Sequence, residues 1–324
     1  MKRAVAALLA LVLAGCATQG VAEDDGTLRV VTTVAPLTSI VAEVAGDRAH
    51  VTGLVPEGVN SHTFDPPPSA GEALSQADVI FINGLQLEDP TKELAERTKQ
   101  PDAEIVELGS VLPKSGYIYD FSFPREEGKP NPHLWTDPTY AVKYAEKARD
   151  TLTRIDPDGA ADYRSNTKAF VARANALADA LRSDQRSLPA DQRELLTYHD
   201  AYAYFARTFG WTVIGAIQPK NFDDPTPKEV AALIDQVRNE NVKAVFGSEV
   251  FPSRVLEQIG AATGVRYVDV LRDDDLPGSP GDADHSWLGL MRFDYVTMIE
   301  ALGGKAPSLH ALDTGKPADA DYPQ

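Results

Sequence analysis

The chain has 324 residues, of which 43% are apolar, and its formal net charge is −17 at pH 7. This length predicts about two domains with sizeable hydrophobic cores, and the acidity disfavours binding to nucleic acid or to anionic lipid surfaces. The sequence contains one cysteine, so no disulfide can form within the chain, and packing, a bound metal or both must stabilise the fold.

The N-terminal segment has the pattern of an export signal. Two basic residues precede an apolar run at 4–13, which is too short to span a membrane stably. The run leads into LAGC, which ends at Cys16 and resembles the lipobox of bacterial lipoproteins, in which the cysteine is acylated. We therefore expect a signal peptide over 1–15 and a lipidated flexible tether over 16–26. An ordinary secretory signal with an incidental cysteine is the alternative.

Strand and helix patterns alternate through the first half of the chain. Short, continuous apolar runs separated by helical stretches are typical of parallel sheets that are buried on both faces. Residues 111–132 show no periodic pattern and are rich in proline and glycine, so they are predicted to form a loop. The predicted strands are 28–35, 50–55, 77–84 and 104–108, and the predicted helices are 37–46 and 138–154.

A long amphipathic helix at 161–187 separates this half from a second alternation of strands and helices. The helix places Phe170, Ala174, Leu177 and Leu181 on one face, which is expected to be buried. The predicted strands of the second half are 194–198, 211–217, 242–247 and 266–271, and its predicted helices are 201–210, 227–240, 253–264 and about 286–302.

These patterns predict an α/β fold with two lobes. Each lobe is expected to hold a roughly four-stranded parallel sheet flanked by helices, and one long rigid helix is expected to join the lobes. The predicted divisions are an N-terminal lobe over 27–156, a linker helix over 157–187, a C-terminal lobe over 188–312 and a tail over 313–324.

Three histidines and a run of aspartates follow predicted strands. His62 and His133 follow strands of the first lobe, and His199 and the run Asp273–Asp275 follow strands of the second. In open parallel α/β sheets, ligands bind at the carboxyl ends of the strands, so a site in the cleft between the lobes would receive two ligands from each. Three imidazoles and one carboxylate form a closed shell for a divalent metal, and zinc suits such a shell best.

The spacing of these residues matches no local zinc motif, so their position on the predicted fold carries the hypothesis. The aspartate run has a second interpretation as a charged turn or a helix cap. The remaining histidines, His50, His285 and His310, are expected to be solvated or capping side chains. Because only a neutral imidazole binds a metal, the affinity is expected to fall as the pH drops through about 6.5.

Several motifs in the same order resemble the zinc and manganese solute-binding lipoproteins of ABC importers. They are TVAPLTSIVAEVAGD, SHTFDPPPS, INGLQLED, NPHLWTDP, YHDAYAYFARTFG, FGSEVF and DDDLPG, and the likeness covers nearly all of the chain after the tether. The resemblance implies two lobes bridged by a long helix, with the metal in the cleft between them.

The resemblance also implies which residues bind the metal. Within DDDLPG, the family pattern of an aspartate, one residue and an aliphatic residue selects Asp274; Asp275 is the second choice and Asp273 is the third. In the family, histidine as the third ligand goes with zinc and glutamate goes with manganese, so a histidine at that place favours zinc. The implied ligands are His62, His133, His199 and Asp274.

Two further segments bear on the metal. Glu249, in FGSEVF, is a candidate outer partner that would accept the second N–H of a ligand histidine and fix its tautomer; a carboxylate at a helix start is the alternative. Many zinc members of the family carry a histidine-rich stretch before the second ligand, but residues 111–132 contain no histidine. A metal-gathering role for this loop is therefore not expected, and the metal would arrive free or from a metallochaperone.

The expected function is capture of Zn²⁺ outside the cytoplasmic membrane and its delivery to an ABC permease and the ATPase of that permease. The protein is expected to be a monomer, lipid-anchored to the cell membrane at the cell surface or in the periplasm. Four protein ligands leave no open position for a reacting water, so no enzyme activity is expected. The alternatives are a manganese-binding importer subunit, a metal-binding surface adhesin and a zinc hydrolase, although no HExxH motif supports the last.

Overall fold

A computed structural model describes residues 26–217, 226–239, 242–248 and 254–323 of the chain. In its N-terminal lobe, strands built from short apolar runs alternate with helices. The strands of this lobe are β1 (Leu28–Thr32), β2 (Ala49–Gly53), β3 (Val79–Ile82) and β4 (Glu104–Glu107), and its helices are α1 (Ala35–Ala45), α2 (Pro68–Gln76), α3 (Asp89–Thr98) and α4 (Pro138–Ile155).

The C-terminal lobe repeats this alternation after a helix of 25 residues, α5 (Ala160–Asp184). Its strands are β5 (Glu194–Thr197), β6 (Thr212–Ala216), β7 (Ala244–Ser248) and β8 (Arg266–Leu271), and its helices are α6 (Ala203–Phe209), α7 (Pro227–Asn239), α8 (Arg254–Thr263), α9 (Trp287–Ala301) and α10 (Pro307–His310).

The two sheets share one plan. Each has four strands, in the orders β2-β1-β3-β4 and β6-β5-β7-β8, and every ladder within the described residues is parallel. Parallel strands send all their carboxyl ends to the same edge of a sheet, where ligands of open α/β folds bind. The loops that follow β2, β4, β5 and β8 therefore meet between the lobes. The predicted fold of two four-stranded α/β lobes is confirmed.

One hydrophobic core runs through both lobes. Helix α5, which is about 37 Å long at 1.5 Å per residue, packs on α1 and α4 of the first lobe and on α9 and α10 of the second. Because domains that share a large apolar interface move little against each other, the lobes are not expected to swing far apart. The predicted apolar face of the helix is buried, with 0% exposure at Phe170, Ala174, Leu177 and Leu181.

Two tryptophans tie the lobes together beside the cleft. The indole Nε1 of Trp135 donates to the backbone oxygen of Asp273 at 2.8 Å, and Nε1 of Trp287 donates to the backbone oxygen of Trp135 at 2.9 Å. The backbone N–H of Trp287 donates to Oγ of Ser39, also at 2.8 Å. All these groups are buried, and a buried N–H that lost its acceptor would destabilise the fold. The bonds therefore fix the position of Asp273 relative to the first lobe.

The observed elements differ from the predicted ones mainly at their ends. The first strand stops at Thr32 instead of residue 35, because α1 begins at Ala35 with a proline in its first turn. Helices α2 and α3 are absent from the prediction, since each is short and buries only two side chains. The division into lobes, linker and tail stays a prediction.

The C-terminal tail packs against the first lobe. The backbone N–H of Asp321 donates to the oxygen of Val51, and its own oxygen accepts from the N–H of Gly53, both at 2.9 Å. These bonds cover the outer edge of β2, which would otherwise expose unpaired backbone groups. Residues 1–25, with the predicted signal peptide, Cys16 and most of the tether, lie outside the described residues. None of the helices in the described ranges is long and apolar enough to cross a membrane.

Candidate metal centre

His62 lies on the loop between β2 and α2. Its backbone N–H donates to Oδ1 of Asn60 at 2.9 Å, and the N–H of Thr63 donates to the backbone oxygen of Asn60, which closes a turn around the histidine. Three consecutive prolines at 66–68 follow, and the last one begins α2. Because proline fixes φ, this part of the loop has few alternative conformations. The imidazole is therefore presented from a stiff segment.

His133 stands at the end of the long loop after β4 and is held by Asn131. The amide Oδ1 of Asn131 accepts from the backbone N–H of His133 at 3.1 Å and lies 2.8 Å from the ring Nδ1, while its Nδ2 donates to the backbone oxygen of Asp200 at 2.8 Å. With Oδ1 assigned as the acceptor by this network, Nδ1 carries the ring hydrogen. The Nε2 lone pair of His133 is then available to a metal.

His199 follows the last residue of β5 by two positions, and its side chain is almost fully buried. The segment after it is bonded to the first lobe. Asn131 donates to the oxygen of Asp200, and Oγ1 of Thr136 donates to the oxygen of Ala201 at 2.9 Å. These contacts hold the beginning of the second lobe against the loop that carries the second histidine.

The structure brings the three histidines together. Their Nε2 atoms form a triangle with sides of 3.1 Å from His62 to His133, 3.1 Å from His62 to His199 and 2.9 Å from His133 to His199. Zinc–imidazole bonds of about 2.0–2.1 Å in a tetrahedral shell separate the ligand nitrogens by about 3.3 Å. The observed triangle is within a few tenths of an ångström of that spacing. The three side chains therefore fit one small dication.

The aspartate run after β8 lies against this triangle. Asp273, Asp274 and Asp275 are 2%, 3% and 6% exposed. One oxygen of Asp273, one oxygen of Asp274 and one ring nitrogen of His133 lie within 4.8 Å of one another. Buried carboxylates without nearby cations are rare because burial of a charge is costly. The second lobe thus adds oxygen donors beside the imidazoles.

Asp274 and Asp275 have different surroundings. Oδ2 of Asp274 accepts from Oγ of Ser61 at 2.5 Å, whereas its Oδ1 is buried and accepts no hydrogen bond from the described residues. Oδ2 of Asp275 accepts from the backbone N–H of Gly58 at 2.6 Å. Both side chains also join the lobes, since Ser61 and Gly58 belong to the loop that carries His62. The buried Oδ1 of Asp274 is the better placed of these oxygens for a metal.

Burial sets the protonation of the imidazoles. Loss of water lowers the pKa of His62 and of His133 well below the ordinary value of 6.5, and the neighbouring ring of His199 adds to both shifts. These two rings are therefore neutral at neutral pH, as a metal ligand must be. The expectation that imidazole protonation weakens binding near pH 6.5 is revised, because these rings take up protons only at lower pH.

Burial acts in the opposite direction on the carboxyl groups. It raises the pKa of Asp273 and of Asp274, and the neighbouring charge of Asp273 adds to the rise for Asp274. A bound dication favours the ionised carboxylate and so reverses this shift. Metal binding should therefore release protons from the aspartates, and the apparent affinity should fall as acidic pH protonates the carboxyls before it protonates the imidazoles.

One side of the centre faces solvent. A cavity of ≈ 110 Å³ borders His62 and is also lined by Phe123 and Lys129 of the loop before the second histidine. His133 and His199 are buried and do not line this cavity. A metal ion would therefore reach the centre past His62, through contacts with a loop that contains no histidine of its own.

The asparagines that support the histidines were missed by the sequence reasoning. The pattern Asn-x-His occurs twice, at 60–62 and at 131–133. In both copies the asparagine Oδ1 accepts the backbone N–H of the histidine, at 2.9 Å and 3.1 Å. The repeated Asn-x-His tripeptide is the sequence signal from which these two asparagines could have been identified. Glu249, the predicted outer partner of a ligand histidine, lies outside the described residues.

Substitution of Asn131 by leucine is expected to weaken zinc binding about 10–100-fold, because the ring of His133 loses the acceptor that fixes its tautomer. Asn131→Asp keeps an oxygen at that place and is expected to retain most of the affinity. Zinc titration of both variants checks this, with thermal unfolding of each metal-free protein as the control for folding. Equal affinities for the wild-type protein and Asn131→Leu would show that Asn131 does not position the ligand.

The other three histidines lie away from the cluster. His50 and His310 are exposed, in agreement with the expectation of solvated side chains. The expectation was wrong for His285, which is 1% exposed and whose Nδ1 lies 3.2 Å from the backbone oxygen of Pro277. The ring packs edge-on against Tyr322 of the C-terminal tail, and no periodic pattern in the sequence predicts that contact.

Comparison with known proteins identifies one family and several similar proteins. The model of a family described as "ZnuA: Zinc-uptake complex component A periplasmic" matches residues 30–301. The manganese-binding lipoprotein MntA of Halalkalibacterium halodurans is 29% identical over 298 residues, which cover 91% of this chain and 96% of that protein. The iron-binding protein YfeA of Yersinia pestis is 29% identical over 277 residues, which cover 85% of this chain and 86% of that protein.

The fold comparison agrees. The periplasmic zinc-binding protein TroA of Treponema pallidum superimposes with a TM-score of 0.78 at 25% identity, over 86% of this chain and 99% of that chain. The names of the similar proteins specify zinc, manganese or iron, so they agree on a transition-metal ion and differ on which one. By sequence and by fold, the chain belongs to the ZnuA family of metal-binding solute-binding proteins of ABC importers.

Proposed function

We propose that this protein captures Zn²⁺ outside the cytoplasmic membrane and delivers it to an ABC permease for import. The observation that carries the proposal is the triangle of imidazole Nε2 atoms, with sides of 2.9–3.1 Å. Imidazole suits zinc, whereas manganese prefers more oxygen ligands. Family membership supports the coarser statement that the chain is an extracytoplasmic metal-binding subunit of an ABC importer and not an enzyme.

Asp274 is the proposed fourth ligand, beside His62, His133 and His199. Its Oδ1 is buried without a hydrogen-bond donor among the described residues, and its Oδ2 is held by Ser61 at 2.5 Å. With three neutral imidazoles and one carboxylate, the zinc complex keeps a net charge of about +1, which costs far less to enclose than the bare ion. Asp275 is not favoured, because among the described residues it belongs to neither group of side chains whose ligand atoms lie close enough to share one metal ion.

Manganese is the second candidate cargo. Two observations favour it: a similar protein is named as manganese-binding, and the site holds a further buried carboxylate at Asp273. Manganese binds nitrogen-rich sites more weakly than zinc does, so the three imidazoles weigh against it. No feature of the described residues favours the other alternative, a metal-binding surface adhesin.

Competition between the two metals tests the cargo. The purified protein, dialysed against equal free concentrations of Zn²⁺ and Mn²⁺, is expected to contain one zinc ion per chain and almost no manganese. Elemental analysis gives both contents from one sample. Retention of manganese under these conditions would replace the zinc proposal with the manganese one, and absence of both metals would end both proposals.

The permease and its ATPase are the proposed partners, with a metallochaperone as a further candidate source of metal. The protein is proposed to act as a monomer, because both lobes of one chain supply the ligands. Acylation of Cys16 is proposed to anchor it, in keeping with the lipoprotein relatives. Cys16→Ala should move the protein from the membrane fraction to the soluble fraction; persistence in the membrane fraction would point to another anchor.

A further inference from the structure

One buried carboxylate beside the cluster has no role in the four-ligand site. Asp273 is 2% exposed, and its Oδ2 lies 3.5 Å from Nε2 of His199. This oxygen accepts no hydrogen bond from the described residues. A buried carboxylate oxygen that lacks a donor is costly unless a cation or a proton satisfies it. Because this oxygen lies next to Nε2 of His199, a proposed ligand, a metal ion bound there could satisfy it.

The orientation of Asp273 is fixed from two sides. Its Oδ1 accepts from Oγ of Ser248 at 2.9 Å, and its backbone oxygen accepts from Nε1 of Trp135 at 2.8 Å. With the backbone and one carboxylate oxygen held, the other oxygen is directed toward His199. Ligands held in this way by outer hydrogen bonds are pre-organised for a metal.

The neighbouring aspartate leaves room for a second oxygen donor. Oδ2 of Asp274 accepts from Ser61, so Oδ1 is the oxygen of this carboxylate that no donor among the described residues holds. Oxygens of Asp273 and Asp274 lie with a nitrogen of His133 within 4.8 Å. Zinc sites can expand from four ligands to five, and manganese favours more oxygen ligands than zinc does.

We propose that Oδ2 of Asp273 is a fifth metal ligand that lets the site accept Mn²⁺ as a second cargo besides Zn²⁺. This inference rests on the proposed function of the centre in metal capture. Two carboxylates and three neutral imidazoles balance the charge of a dication completely, so the enclosed complex is neutral. The added oxygen favours manganese more than zinc, since zinc is already satisfied by four donors.

Cobalt substitution tests the coordination number. Co²⁺ in a four-coordinate tetrahedral site absorbs visible light more strongly than Co²⁺ with five ligands, so the spectrum reports the geometry. The wild-type protein loaded with Co²⁺ is expected to show the weak five-coordinate bands, and Asp273→Asn is expected to show the strong tetrahedral bands. The matched control is Asp294→Asn. Asp294 is another buried aspartate, and its carboxylate oxygens accept hydrogen bonds from Tyr202 and from the backbone N–H of Arg272. The spectrum of this variant is expected to equal that of the wild type.

Affinity measurements supply the second readout. Asp273→Asn is expected to weaken Mn²⁺ binding at least about tenfold while Zn²⁺ binding weakens much less, so that the preference for zinc increases. An unchanged cobalt spectrum together with an unchanged ratio of zinc to manganese affinity would overturn the inference. Failure of the proposed function gives a different result, because the wild-type protein would then bind none of these metals. X-ray absorption at the cobalt edge of the wild-type protein tests the coordination number without any substitution, and a four-coordinate signature would contradict the proposal.

Discussion

Replacement of His199 by alanine is expected to lower the zinc affinity more than about 100-fold, because loss of an outer partner of a ligand alone costs about 10–100-fold. The Nε2 atom of this ring lies 2.9 Å from that of His133 and 3.1 Å from that of His62. The substitution removes one corner of the triangle and with it the proposed zinc–nitrogen bond of the second lobe. Titration against a competing zinc chelator measures the change.

The chain offers a matched control in His50→Ala. His50 is an exposed histidine on β2, so the same substitution removes an imidazole without touching the cluster. Its zinc affinity should equal that of the wild type. Thermal unfolding of the metal-free proteins shows whether His199→Ala still folds. A folded variant with zinc affinity within a few-fold of the wild type would remove His199 from the ligand set.

Saturation with zinc is expected to raise the unfolding temperature by about 8–16 °C. A ligand that binds only the folded state at about a thousand times its Kd stabilises that state by about 4 kcal/mol, and each kcal/mol is worth about 2–4 °C in a large domain. The proposed ligands come from loops of both lobes, so the stabilisation should extend to the whole described fold. Calorimetry of the protein with a chelator and with excess zinc measures the difference.

The same calorimetric measurement on His199→Ala is the control for nonspecific effects of zinc on the unfolding temperature. That variant should show little or no shift at the zinc concentration that saturates the wild type. If the wild type held stoichiometric zinc and yet unfolded at the same temperature as the chelated protein, the metal would not be joining the two lobes. Two separate transitions, of which zinc moved only one, would also contradict a site shared between the lobes.

The shared core constrains how the metal enters and leaves. The apolar cluster includes residues of both lobes, and the tryptophan bonds cross the cleft beside the site. We therefore expect metal binding to change local loops more than the angle between the lobes. The loop that lines the cavity at His62, with Phe123 and Lys129, is the segment expected to respond. Delivery to a permease would then depend on opening this side of the centre.

The sequence predicts the fold well because each strand is a short apolar run. Runs such as 79–82 and 244–248 are buried along their whole length, so their pattern directly reflects a sheet covered on both faces. Helix α5 is equally clear, since its apolar face repeats over many turns. Helices α2 and α3 were missed because segments of nine and ten residues with only two buried side chains each give a weak apolar pattern.

The candidate site was predictable only in part. Parallel topology sends the residues after β2, β4, β5 and β8 to one place, so the meeting of three histidines follows from their positions in the chain. The roles of Asp273 and Asp274 depend on single hydrogen bonds from Ser248 and Ser61, which no sequence pattern specifies. The support from Asn131 likewise depends on the path of an irregular loop.

The most direct measurement is a crystal structure of the zinc-loaded protein, with the metal located by anomalous scattering at the zinc edge. The proposed function predicts a single zinc ion in the cleft, bound by Nε2 of His62, His133 and His199 at about 2.0–2.1 Å and by a carboxylate oxygen of Asp274. Zinc bound elsewhere, or imidazole rings turned away from one another around the cleft, would contradict it.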